Sequence, residues 1–174
     1  NKLRQKSART KFNLEKPMGM KILVAEDSQS IALLYKKSLE KRGHTVIITE
    51  NGLKCLYQYS DDFKIRGDDK KKTSLYDLVI LDHKMPRMEG TDVAKEIIEM
   101  NQKQRILFVT GYVKDMMKGV RKIGQKIEVL QKPFPINAMI RQVEGGNTRW
   151  IKKMVENTAK EPWDGEDGLS DPLQ

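Results

Sequence analysis

Five short apolar runs alternate with five stretches of helical periodicity along this 174-residue chain, and that alternation limits its folds more than any other feature. The runs are "KILVA" (Lys21 to Ala25), "TVIIT" (Thr45 to Thr49), "YDLVILD" (Tyr76 to Asp82), "RILFVT" (Arg105 to Thr110) and "IEVL" (Ile127 to Leu130). Short, rich in branched residues and flanked by turn formers, they read as strands. Between them apolar residues recur at helical spacing: Ile31, Leu34 and Ser38-Leu39 ending at Gly43; Leu53, Leu56 and Tyr57; Val93, Ile97 and Met100; Val113, Met116-Met117 and Val120; and Ile136, Ile140 and Val143. Right-handed crossovers place helices on both faces of a parallel sheet and bury its strands on both sides. The expected class is therefore α/β, a doubly wound five-stranded parallel sheet.

Two segments interrupt this rhythm. Asp61 to Ser74, "DDFKIRGDDKKKTS", reads as a long polar connection into the third strand. It should lie at the edge away from any ligand, because open α/β sheets bind ligands beyond the carboxyl ends of their strands. After Gly145-Gly146, "NTRWIKKMVENTAK" carries Trp150, Ile151, Met154 and Val155 at helical spacing, with Glu161-Pro162 as a stop. The expected organisation is a flexible basic segment over 1–19, the α/β domain over 20–145, an additional helix over 146–160 and an acidic tail over 161–174. Trp150 is read as a packing anchor of the additional helix.

Composition excludes several classes of function. No apolar run approaches the roughly 20 residues that span a bilayer, and the first twenty residues lack the apolar centre of a secretory signal. The first residue is not Met, so a fragment or processed chain is expected. One cysteine, Cys55, excludes an internal disulfide framework and suits a reducing cytoplasm. With only His44 and His83 beside it, a zinc cluster is not expected either. The net charge of +9 invites a nucleic-acid reading. Yet much of the excess lies in "NKLRQKSARTKFNLEK", whereas the end, "KEPWDGEDGLSDPLQ", is acidic. Solvated chain ends explain this better, and nucleic acid is not the expected partner.

The chemistry gathers at strand ends. Glu26 and Asp27 follow the first strand, Asp82 the third and Lys132 the fifth, while Thr110 closes the fourth. A parallel sheet brings all five to one edge. A lone aspartate after a strand is ordinarily a turn former or helix cap, and Asp27 before "SQS" by itself reads so; the shared address argues otherwise. Converging carboxylates repel one another unless a cation joins them. Mg2+, which takes a few oxygen ligands and keeps several waters, fits that need. A carboxylate can also accept a phosphoryl group as an acyl phosphate, and Asp82 is the natural candidate. Lys132 would neutralise the phosphoryl charge, with the Thr110 hydroxyl as donor.

In order and spacing, "VAEDSQS", "ENGLKCL", "VILDHKMPRMEG", "FVTGY" and "LQKPF" resemble the receiver domain of two-component response regulators, over about Met20 to Val143. The resemblance implies a flavodoxin-like (βα)5 fold, single-domain and similar to chemotaxis regulators. It implies that Asp82 takes phosphoryl from a sensor histidine kinase or phosphotransfer protein. Asp27 and Asp82 would ligate Mg2+ directly, Glu26 through water, and Lys84 through its backbone carbonyl. The Lys132-Pro133 bond is expected to be cis. Such a protein is a phosphoacceptor that catalyses only its own phosphoryl transfer and dephosphorylation. It would be a cytoplasmic monomer or weak dimer, signalling to a downstream protein through the fourth and fifth strands and the helix between them.

The sequence departs from the family pattern at Val129, where most receivers carry a Tyr or Phe that swings inward when the threonine moves. Tyr112, two residues after Thr110, is the candidate to take over part of that coupling. Gly111 should leave the phosphoryl site open to water, with Lys84 and Tyr112 flanking the opening. His83 should point away from Asp82 and play a structural part. Cys55 and Met116-Met117 are read as packing residues. The alternative function is a scaffold, a pseudo-receiver that binds partners without phosphate. An aspartate-nucleophile phosphatase fits less well, since Lys84 stands where its second acid belongs.

Overall fold

A computed structural model describes residues 19–66, 75–121, 123 and 127–145. The expected additional helix over 146–160, with Trp150, the tail over 161–174 and all but Gly19 of the basic segment lie outside the described residues. The elements run β1 (Lys21–Ala25), α1 (Gln29–Glu40), β2 (Thr45–Thr49), α2 (Gly52–Arg66), β3 (Leu78–Leu81), α3 (Gly90–Met100), β4 (Ile106–Thr110), α4 (Val113–Val120), β5 (Glu128–Gln131) and α5 (Ile136–Gly145). All strand pairs are parallel. The order β2-β1-β3-β4-β5 is that of a doubly wound, flavodoxin-like sheet.

Side chains alternate across the strands, so each strand feeds two cores. Ile22, Val24, Leu78, Ile80, Leu107 and Val109 meet α1 and α5 through Tyr35, Leu39, Met139 and Val143. Leu23, Val79, Leu81 and Phe108 meet α2, α3 and α4 through Cys55, Tyr59, Val93, Ile97 and Met116. Burial on both faces explains why the central runs are apolar without interruption. Cys55 is fully buried, and burial pushes its thiol up to about 12, an unreactive packing residue.

The strands fall where the runs predict, with shifts of one or two residues at the ends of β3, β4 and β5. Two helical expectations are corrected. The buried stripe of α1 is Ala32, Tyr35 and Leu39, whereas Leu34 is 51% exposed. Apolar residues occupy both sides of this helix, and packing against Phe134 and α5 selects the stripe containing Tyr35, whose ring stacks on Phe134 at 6.2 Å between centroids. In α2, similarly, Cys55 and Tyr59 are buried and Tyr57 is exposed.

The polar connection expected from Asp61 is also corrected, because α2 continues to Arg66. Tertiary contacts hold its last turns in place: Phe63 stacks on Tyr59, and the Asp62 carboxylate accepts from the Tyr76 hydroxyl. Lys21, at the start of β1, lies 3.6 Å from Asp62, and its backbone N–H donates to Asp77 at 2.6 Å. These contacts lie at the amino-terminal edge of the sheet, opposite the site.

Candidate functional site

Backbone hydrogen bonds carry the sheet past its formal ends and fix the start of each functional loop. The Glu26 N–H donates to Thr49 O at 3.1 Å, Asp82 N–H to Ala25 O at 3.0 Å, and Lys132 N–H to Thr110 O at 2.9 Å. The Lys132-Pro133 bond is cis, as expected. Lys132 Nζ reaches both Glu26 Oε2, at 2.9 Å, and Asp82 Oδ2, at 2.7 Å. One ammonium therefore joins two carboxylates that lie 56 residues apart in the chain.

Each side chain stands at a different depth. Glu26 is 3% exposed, Asp82 half-buried and Asp27 exposed. Glu26 Oε1 also accepts the Ser28 N–H at 3.1 Å. Burial raises the Glu26 pKa above its ordinary value; Lys132 opposes the shift, and the charge on Asp82 adds to it. For Lys132, burial favours the neutral amine, but hydrogen bonds and charges from Asp82 and Glu26 outweigh it and raise the pKa. The lysine stays protonated.

One carboxylate oxygen from each of Glu26, Asp27 and Asp82 lies within 4.8 Å of the others. Three hard oxygen donors with Asp27 open to solvent fit Mg2+, which retains part of its water shell. Thr110 is fully buried, and its Oγ1 accepts the Tyr112 N–H at 2.9 Å, leaving its own proton to donate. Beside it Gly111 is exposed, and a Cβ there would meet nothing within 4 Å. The site is thus open on this side. Val129 is partly buried against the core, and Tyr112 is 63% exposed just before α4.

The loop after Asp82 is closely fitted. A Cβ at Gly90 would lie 2.1 Å from Asp82 O, and one at Gly52 2.1 Å from Met88 O. Arg87 adopts a positive φ of 70° between these contacts. Asn51, buried before α2, accepts the Lys54 N–H at 2.9 Å and caps that helix.

Sequence reasoning missed several neighbours. The Lys84 ammonium is 2.8 Å from Glu89 and 2.9 Å from Asp115, so the side chain at the opening is already engaged. His83 is 2% exposed, with Nε2 3.3 Å from Asp115 Oδ2. No motif points to Tyr35; burial pushes its phenol up to about 12, and charges on Lys132, Glu26 and Asp82 act on it. An acidic residue in the first turn of a helix was the one available signal for Asp115, and it points to the helix dipole rather than to Lys84.

The response regulator receiver domain family matches residues 22–144. The response regulator receiver protein CpdR of Brucella abortus is 25% identical over 124 residues, 71% of this chain and 93% of CpdR. The transcriptional regulatory protein CutR of Streptomyces coelicolor is 31% identical over 126 residues, 71% of this chain and 52% of CutR, so the chain spans about half of that relative. Among solved structures, the response regulator protein TrrA of Thermotoga maritima, in complex with Mg(2+)-BeF, superposes with a TM-score of 0.56 at 26% identity. That superposition covers 71% of this chain and 96% of TrrA.

Proposed function

The chain belongs to the response regulator receiver domain family, and we propose that Asp82 is its phosphoacceptor, charged from a phosphohistidine on a sensor kinase or phosphotransfer protein. The observation that carries this reading is the Lys132 ammonium between Glu26 and Asp82 at the carboxyl edge of the sheet. An Asp82 carboxylate oxygen attacks phosphorus as the P–N bond of the phosphohistidine breaks. The electron pair leaves with the imidazole, which keeps or takes up a proton, and Asp82 becomes an acyl phosphate. Lys132 exchanges a carboxylate partner for a phosphoryl oxygen, and the buried Thr110 hydroxyl turns its proton toward another. Asp27, Asp82 and the Lys84 carbonyl would hold Mg2+ directly and Glu26 through water, and the ion would supply neutralising charge there. TrrA, solved with Mg(2+)-BeF, supports the same ion here.

Phosphorylation would then bias a pre-existing equilibrium read by a downstream protein at β4, α4 and β5. A cytoplasmic location belongs to this reading; among the described residues no helix is long and apolar enough to cross a membrane. Val129 favours a second reading, a scaffold that binds partners without phosphate. Intact mass after incubation with acetyl phosphate and Mg2+ separates the two. The expected result is one phosphate adduct on the wild-type protein and none on Asp82→Asn. An unmodified wild-type protein would favour the scaffold.

A further inference from the structure

Through Asp115, α4 touches the loop that follows Asp82. Its Oδ2 lies 2.9 Å from Lys84 Nζ and 3.3 Å from His83 Nε2, so two successive loop residues meet on one carboxylate oxygen. A carboxylate only accepts, so Nε2 of His83 carries the proton. Nδ1 of His83 is buried without a partner among the described residues, so the ring has no other hydrogen bond to hold it. Lys84 Nζ is also 2.8 Å from Glu89. Its hydrogen bonds to Glu89 and Asp115 push its pKa up to about 12.

We infer that Asp115 is a positioning residue of the phosphoryl site: it holds the Lys84 ammonium in reserve, and a phosphoryl group on Asp82 competes for that ammonium, loosening the first turn of α4. The inference rests on the phosphoacceptor reading. Lys84 and Asp115 are both about half exposed, and an ion pair at such a position is weak and readily exchanged. A phosphoryl group brings about two negative charges and three acceptor oxygens to a point two residues away. Once Lys84 turns, the Asp115 carboxylate keeps, among the described residues, the longer His83 contact to this loop. Its cap residue, Tyr112, makes no side-chain capping hydrogen bond, and Gly111 before it has open space around it.

The end of the helix is held differently. Met116 and Val120 are buried, and a Cβ at Gly119 would lie 2.8 Å from the Thr91 side chain, so the last turn is pinned against α3 while the first can move. Lys84 and Asp115 thereby offer a route from the acceptor to α4 that does not need an aromatic ring at Val129.

Competition is reciprocal: if phosphate weakens the Lys84–Asp115 pair, removing Asp115 must strengthen phosphate binding. Beryllofluoride with Mg2+ serves as the probe, its affinity taken from the thermal midpoint of the full chain at increasing concentration. Asp115→Asn should bind about threefold tighter or more than wild type, and Asp115→Glu should restore wild-type affinity. In a Lys84→Met background Asp115→Asn should change nothing, because the double-mutant cycle isolates action through Lys84. Amide exchange in the first turn of α4 should rise with beryllofluoride in wild type and be high already in Asp115→Asn. Equal affinity of wild type and Asp115→Asn, or the same tightening with Met at position 84, would overturn the inference. Absence of Asp82-dependent binding to wild type would overturn the phosphoacceptor reading, and this inference with it.

Discussion

Lys132 holds oxygens that a metal ion and a phosphoryl group would each compete for, so the resting site is an internal ion cluster whose partners exchange. Removing the ammonium strands Glu26, which is 3% exposed. Breaking a fully buried pair costs about 3–5 kcal/mol, and since the Lys132 side chain is 24% exposed we expect Lys132→Met to cost about 2 kcal/mol, read from denaturant midpoints in EDTA. Glu26 gives a prediction of opposite sign. Burial raises its folded pKa above the ordinary 4.5. A group shifted that way contributes stability that is fully present below the unfolded pKa and is lost as pH rises through the folded one. Metal-free Glu26→Gln should therefore be more stable than wild type at neutral pH, with the advantage fading below the unfolded pKa. Unfolding curves from acid to neutral pH check this; a loss of stability at neutral pH would mean that the Lys132 hydrogen bond outweighs burial.

The elements differ in how much of their placement the chain announces. Strands buried on both faces show as apolar runs, and a residue just past such a run has a known edge, so the positions of Glu26, Asp27, Asp82, Thr110 and Lys132 were legible. Helix phase was not. Leu33-Leu34 and Ala32-Tyr35 offer α1 two apolar sides, and only contact with Phe134 and α5 decides between them. Leu39→Ala should accordingly cost about 2–5 kcal/mol and exposed Leu34→Ser less than about 0.5 kcal/mol, in the same denaturant assay. The last turns of α2 and the Lys84–Asp115 pair were hidden for the same reason: Asp62–Tyr76 and Asp115–Lys84 join residues that become neighbours only in the folded chain. Loop geometry is intermediate. Gly90 was legible as a chain break, but its necessity comes from Asp82 O, 2.1 Å from where a Cβ would stand. Gly90→Ala should cost about 1–3 kcal/mol and, on the proposed role of Asp82, slow formation of its acyl phosphate by displacing its backbone.

Across the whole molecule the two edges of the sheet carry different kinds of charge. At the carboxyl edge, carboxylates converge around Lys132 with partners that can be exchanged. At the amino edge, Arg105 pairs with Glu128, which is 6% exposed, and donates to the last carbonyls of α5 at Gln142, 2.7 Å, and Val143, 2.8 Å. Arg105→Ala should cost about 2 kcal/mol, because it leaves the buried Glu128 carboxylate without its cation although Gln142 Nε2 still donates to it at 2.7 Å, and the Arg105 side chain is itself 31% exposed. Metal binding should nevertheless be unaffected, because the arginine lies at the opposite edge and shares no partner with the acidic trio. Mg2+ at ten times its dissociation constant should stabilise the folded chain by about 1.4 kcal/mol, since it binds only the assembled carboxylates. The same increment should appear in Arg105→Ala, where distant effects add, and shrink in Asp27→Asn, where a ligand is gone. Thermal melts of the three proteins with and without Mg2+ measure this directly. An equal shift in Asp27→Asn would place the ion elsewhere, and a diminished one in Arg105→Ala would mean that the two edges are coupled through the sheet.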